Sequence, residues 1–304
     1  MRLSSLFFIF ICIAIKMAMA KEVVLPVTFT KDTHIAKVVL NINGKPSQFQ
    51  LDTGSQTALH LPLNTLQQLP DTTKNQNTNK NLDLSGKINE TQKFLIKHLD
   101  INGLNFDNIN AEELKPWGWS YSSTAEPQQA PAPDDNLPVI GLPLFQNHIL
   151  TLDFAHKKII IDDGQDSTQI NQQWIAFPYN IHPKEGIIIN LTDQKKTYSL
   201  VLDTGASMTF IKGKLLPASF NSSNKIPAPK SEGATLRLNK KGNPQTVKII
   251  LTNPSIRKIP IQAAIMDGMP EQFESDGLLG VDFLKKYSVK IDQKNQQLWI
   301  KPAI

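Results

Sequence analysis

The chain repeats itself once along nearly its whole length. Leu51-Asp52-Thr53-Gly54-Ser55 and Leu202-Asp203-Thr204-Gly205-Ala206 each follow a strand-like run, and aligning Asp52 with Asp203 brings the flanking features into step. Upstream, Leu25-Pro26-Val27 matches Phe177-Pro178-Tyr179, and Val38 to Ile42 matches Ile187 to Leu191. Downstream, Val139-Ile140-Gly141 matches Leu278-Leu279-Gly280, and each glycine stands twelve residues before an aspartate, Asp153 or Asp292. A unit this long is no solenoid repeat; it implies two similar lobes, expected at 21–165 and 166–304.

Within each copy, short β-branched runs are divided by turn signals such as Asn43-Gly44, Asn102-Gly103, Lys241-Gly242-Asn243 and Asp267-Gly268. Long helical periodicity is scarce. Short helices are expected over Pro62 to Leu69, Pro143 to Asn147 and Asp282 to Tyr287, so the fold class is all-β with two β-barrel-like lobes.

Residues 1–20 read as an export signal: Arg2, an apolar stretch from Leu6 to Ile15, and Ala18-Met19-Ala20 as a cleavage site. The expectation is a periplasmic or secreted protein cleaved after Ala20, the alternative being an anchor through residues 3–19. No later apolar run exceeds strand length, so no stable membrane insertion is expected after cleavage. The single cysteine, Cys12, would leave with the signal, which excludes disulfides and thiol chemistry. Without Arg2 and Lys16, 30 basic side chains face 27 acidic ones, and the scattered lysine pairs give no nucleic-acid surface. The six histidines show no metal-ligand spacing and read as surface or turn residues, so no metal is expected.

The repeated Asp-Thr-Gly carries the chemistry. If the two loops faced each other, Asp52 and Asp203 would stand side by side, and adjacent carboxylates share one proton because both cannot ionise cheaply. One is then basic while the other is acidic, a pair able to activate a water against an amide. Gly54 and Gly205 allow backbone to approach where a Cβ would intrude.

These residues resemble the pepsin-like and retropepsin aspartic proteases, in which each half-site supplies apolar-Asp-Thr-Gly-Ser/Ala and, later, two apolar residues and a glycine. The resemblance spans Val23 to Ile300 at the level of motifs. It implies a bilobal acid-protease fold with the site between the lobes, catalytic Asp52 and Asp203, and no metal or organic cofactor. It also implies that Thr53 and Thr204 lock the loops together, and that Ile140, Gly141, Leu279 and Gly280 support them from a ψ-shaped arrangement. An extended peptide or protein substrate would lie between the lobes, and one chain would act as a monomer. The alternative of another class is a catalytically silent peptide- or protein-binding member of the same fold.

Three departures bear on that reading. Ser55 is replaced by Ala206 in the second copy; a serine hydroxyl donating to its carboxylate would favour ionisation, so its loss predicts an asymmetric dyad and activity toward neutral pH. No tyrosine lies between Asp52 and Trp119 to serve as a pepsin-like flap residue; the candidates around Leu84 to Lys87 and Glu232 to Ala234 look like glycine-tipped retropepsin flaps. The first copy also carries about a dozen extra residues near 116–138, read as a surface loop or, through Trp117, Trp119 and Tyr121, as a substrate-contacting arm.

Overall fold

The computed structural model describes residues 21–31, 34–82, 88–115, 137–163, 173–193, 196–216, 234–239, 241, 243–253 and 256–303. The expected signal, the tips of both candidate flaps except Ala234, and nearly all of the aromatic 116–138 segment lie outside them. The first half contains β1 (Glu22–Phe29), β2 (Ala36–Ile42), β3 (Lys45–Asp52), β4 (Leu59–Leu61), β5 (Thr72–Leu82), β6 (Ile88–Ile101), β7 (Leu104–Glu113), β8 (Val139–Gly141), β9 (Ile149–Asp153) and β10 (Lys158–Asp162). The second contains β11 (Ile175–Phe177), β12 (Tyr179–His182), β13 (Gly186–Asp193), β14 (Lys196–Leu202), β15 (Phe210–Lys212), β16 (Thr235–Leu236), β17 (Thr246–Asn253), β18 (Ile256–Asp267), β19 (Gly277–Leu279), β20 (Tyr287–Asp292) and β21 (Gln297–Pro302). Among the described residues, helix is confined to α1 (Leu63–Gln68), α2 (Val281–Leu284) and two 3₁₀ turns, Leu142–Phe145 and Gly213–Leu215. No helix among the described residues is long and apolar enough to cross a membrane.

The turn chemistry acts where the sequence places it. Asn43 and Gly44 have φ of 47° and 78°, and Asn102 and Gly103 have 54° and 77°, the two positive values that a two-residue hairpin demands. They close β2 on β3 (Ile42 opposite Lys45) and β6 on β7 (Ile101 opposite Leu104). β5 and β6 pair antiparallel out to Leu82 opposite Ile88, on either side of 83–87, where the first flap is expected. Ladder register corrects one detail of the internal alignment. Val38 pairs with Phe49 and Ile189 with Leu200, so Ile189 rather than Ile187 holds the place of Val38. A match of apolar residues in a period-2 pattern cannot distinguish registers two residues apart.

The halves meet in one continuous antiparallel set, β11-β21-β20-β9-β10-β1. At its centre Leu152 pairs with Val289, Thr151 with Lys290 and Leu150 with Ile291. The offset that relates Gly141 to Gly280 also relates Leu150 to Val289, Thr151 to Lys290 and Leu152 to Ile291. The pairing is therefore symmetric about Thr151 and Lys290, which places a local two-fold axis between the lobes. Leu25, Ile159, Leu152, Val289 and Ile300 form a buried row across the inner face, all 4 % exposed or less.

Pro26 and Pro178 mark equivalent points. Pro26 is the last residue of β1 paired with β10, and Val27 begins the pairing with β2. Pro178 separates β11, paired with β21, from β12, paired with β13. A residue without an N–H fits where a strand leaves one partner for another.

Burial at this seam predicts a large shared energy. Leu150→Ala or Ile291→Ala should each cost about 2–5 kcal/mol, measured by urea denaturation followed through tryptophan fluorescence. Because both halves own the seam, both should unfold in one transition.

Candidate active site

Each Asp-Thr-Gly begins where a strand ends. Asp52 closes β3 with Gly141 beside it in the parallel strand β8, and β4 returns antiparallel along β8. In the second lobe Leu202 ends β14 beside Leu279 of β19, with β15 antiparallel to β19. Ile140 and Leu279 are fully buried under the loops. A Cβ on Gly141 would stand 1.9 Å from the carbonyl oxygen of Thr57, and one on Gly280 2.6 Å from the carbonyl carbon of Met208, so both places admit only glycine. Gly141 N donates to Ala58 O at 3.0 Å. Gly280 N instead donates to Thr209 Oγ1 at 3.1 Å.

The two loops are tied by four crossed hydrogen bonds. Thr53 N donates to Thr204 Oγ1 (2.9 Å) and Thr204 N to Thr53 Oγ1 (3.0 Å). Each hydroxyl then donates across the junction, Thr53 to Leu202 O and Thr204 to Leu51 O, both at 2.8 Å. Both threonines are fully buried, so every polar atom in the grip must be paired within it.

The grip sets the carboxylates together. A Cβ on Gly54 would lie 2.9 Å from Asp203 Cγ, and one on Gly205 2.7 Å from Asp52 Cγ. Each glycine therefore makes room for the carboxylate of the other lobe. Asp52 Oδ1 accepts from Gly54 N (2.9 Å) and Ser55 N (3.2 Å), and Asp203 Oδ1 from Gly205 N (2.7 Å). Burial raises both carboxyls above the ordinary range. Asp52 is pushed further, first by burial, then by the charge of Asp203 and a hydrogen bond to it, whereas that same bond lowers Asp203. The upward push is therefore unequal, greater at Asp52, and the two carboxyls titrate as one interacting pair.

The Ser55 hydroxyl departs from expectation. It lies 2.9 Å from His60 Nε2 and 3.2 Å from Thr57 O, while only its backbone N–H reaches Asp52. The dyad is asymmetric, but not because Ala206 lacks a hydroxyl aimed at Asp203. His60 is also misread as a surface residue: it stands half-buried in β4 between the buried leucines 59 and 61, and its Nε2 meets the Asp52 loop at Ser55. The alternation Leu-His-Leu in a strand is the signal that it faces away from the leucines' core. Glu112, 4 % exposed, and Thr91 were likewise not singled out by the sequence. Among the described residues, no group of three or more metal-ligating side chains is placed to hold an ion.

Residues 181–292 match the family model described as retroviral aspartyl protease, a span that runs from β12 through β20 and contains the Asp203 loop. No curated protein matches the chain in sequence. Among solved structures, basic 7S globulin from soybean aligns with a TM-score of 0.57 at 11 % identity, over 92 % of this chain and 94 % of the other. The aspartic proteinase from Irpex lacteus aligns with a TM-score of 0.55 at 12 % identity, over 93 % of this chain and 97 % of the other. At these identities the likeness is one of fold, and the fold is the bilobal acid-protease fold.

Two outcomes follow for stability. Thr53→Val leaves Thr204 N–H and Leu202 O unpaired, at about 1–3 kcal/mol each, so a loss of about 2–5 kcal/mol is expected in chemical denaturation. Asp52→Asn acts oppositely at neutral pH. A carboxyl whose folded pKa is raised contributes stability below its unfolded pKa, near 4, and loses it as pH rises through the folded value. Asparagine cannot ionise, so the variant should melt higher than wild type at pH 7, with the difference shrinking toward pH 4.

Proposed function

We propose that this chain, whose second half matches the retroviral aspartyl protease model and whose fold is that of the acid proteases, is an aspartic endopeptidase working through Asp52 and Asp203. The observation that carries the reading is the reciprocal Thr53–Thr204 grip, which sets the buried carboxyl of Asp52 against the half-buried carboxyl of Asp203. A pair of β-turns with no catalytic task has no need to hold two titratable groups against each other.

In the proposed reaction, Asp203 takes a proton from a water as that water attacks the peptide carbonyl carbon, while Asp52 gives its proton to the carbonyl oxygen. The product is a neutral gem-diol, with the proton now on Asp203 and Asp52 ionised. Collapse returns a diol proton to Asp52 as the C–N bond breaks and Asp203 protonates the leaving nitrogen, which restores the starting state. No adduct with the protein forms. An extended peptide would lie between the lobes as an added strand, under the β5–β6 pair.

The reading extends to organisation and place. Lobes at 21–165 and 166–304 each supply one half-site, so a monomer suffices. Export with cleavage after Ala20 would free an ammonium at Lys21, whose N already lies 2.9 Å from Asp163 Oδ2.

Hydrolysis of a diverse peptide library from about pH 3 to pH 8 tests the proposal. Activity should be bell-shaped, requiring one proton on the pair, with the alkaline limb well above an ordinary carboxylate pKa because burial raises both carboxyls, Asp52 the more. Asp52→Asn and Asp203→Asn should each lower kcat by about 10²–10⁴-fold or more. A folded wild-type protein that binds peptides without cleaving them at any pH would instead support the binding reading, which the likeness to a protein named a globulin keeps in play.

A further inference from the structure

Behind the Asp52 loop, on the side away from the dyad, the first lobe buries a carboxylate that the proposed reaction does not use. Glu112 of β7 is 4 % exposed. Its Oε1 accepts from Thr57 Oγ1 and from Asn79 Nδ2, each at 2.8 Å, and its Oε2 accepts from Thr91 Oγ1 at 2.7 Å. These donors come from three separate elements: the catalytic loop, β5 and β6. The last two are the paired strands on either side of 83–87, where the first flap is expected. Beside Glu112 in the parallel β4–β7 register stands His60, whose Nε2 lies 2.9 Å from Ser55 Oγ. Ser55 Oγ also receives Thr57 N–H at 3.3 Å, and Ser55 N donates to Asp52 Oδ1.

The second lobe shows what the fold itself requires at these places. Aligning Asp52 with Asp203 sets Ala206 in the place of Ser55, Met208 in that of Thr57 and Ile211 in that of His60. In the β15–β18 ladder Ile211 pairs with Ile265, as His60 pairs with Glu112, and both isoleucines are fully buried. An apolar pair therefore satisfies the architecture. A buried carboxylate is costly to desolvate and is tolerated only when its oxygens are fully hydrogen-bonded, so its presence in one lobe alone points to a task that lobe alone performs.

We propose that Glu112 and His60 are positioning residues that join the paired strands β5 and β6 and the Asp52 loop into one mechanical unit, Glu112 through Thr57, Asn79 and Thr91, and His60 through Ser55. The proposal rests on the protease reading and deepens it: the first lobe grips substrate and sets the pose of Asp52 together, while the second lobe supplies Asp203 from an apolar mount. Burial lowers the pKa of the His60 imidazole, against the opposing pull of Glu112.

Glu112→Gln tests this, because an amide turns an N–H₂ toward at least one of the three donors. The expected result is a KM raised about tenfold or more with a smaller change in kcat, since strands β5 and β6 are no longer held in register with the loop. His60→Phe should lower kcat with little change in KM, and His60→Gln, which can still bond Ser55, should recover part of it.

Amide hydrogen exchange gives a readout independent of turnover, compared between Asp52→Asn and Asp52→Asn/Glu112→Gln. Protection at Thr57, Asn79 and Thr91 should fall together by about tenfold or more, while Thr204 and Gly205 keep theirs. Unchanged exchange, or equal loss in both lobes, would overturn the proposal. If Glu112→Gln does not fold, Thr91→Val removes one donor and should give the same pattern at smaller size. Should wild type cleave nothing, the protease reading fails while the exchange pattern still decides whether strands β5 and β6 and the loop move as one.

Discussion

Two carboxyls held against each other, Asp52 buried and Asp203 half-buried, oppose each other's ionisation, and the fold must hold them there against that repulsion. The crossed bonds of Thr53 and Thr204 do so. Each threonine uses its N–H and hydroxyl proton as donors and its hydroxyl oxygen as acceptor, so neither lobe can withdraw without leaving buried polar groups unpaired in both. Everything nearby serves that arrangement. Strands β3 and β14, lying parallel to β8 and β19 respectively, deliver the loops, Gly54 and Gly205 clear room for the opposite carboxylate, and Gly141 and Gly280 let the return strands pass close behind.

Behind this near-symmetric centre the lobes differ in chemistry. The second mounts its loop on Ile211 and Ile265 and fixes Thr209 through Asp282, whose Oδ1 accepts from both the N–H and the hydroxyl of Thr209. The first mounts its loop on a buried network that continues into β5 and β6. A duplicated scaffold gives two equivalent carboxylates; different mounts are a means of making them inequivalent. The stronger upward push on the Asp52 carboxyl has burial and the neighbouring Asp203 charge as its direct causes.

Much of the architecture was legible because it depends on local rules. Asn43-Gly44 and Asn102-Gly103 announce hairpins through the positive φ they tolerate, and Pro26 and Pro178 fall where strands change partners. The paired Asp-Thr-Gly turns identify the candidate site for the same reason, since few residue types fit that loop. What escaped depended on the third dimension. Nothing near Glu112 in sequence foretells that its partners come from Thr57, Asn79 and Thr91, and Ser55 was given the wrong partner because a hydroxyl can rotate toward either Asp52 or His60.

The sequence by itself determined the duplication, the all-β character and the two aspartates, because each follows from periodicity, turn stereochemistry or a motif contained within a few residues. Only packing in three dimensions fixed that the lobes share a sheet symmetric about Thr151 and Lys290, that each glycine serves the opposite aspartate, and that burial raises both carboxyls, Asp52 the more. The physical reason is range. Chain stereochemistry acts between neighbours, whereas desolvation and hydrogen-bond partnership depend on which distant residues close packing brings within about 3 Å.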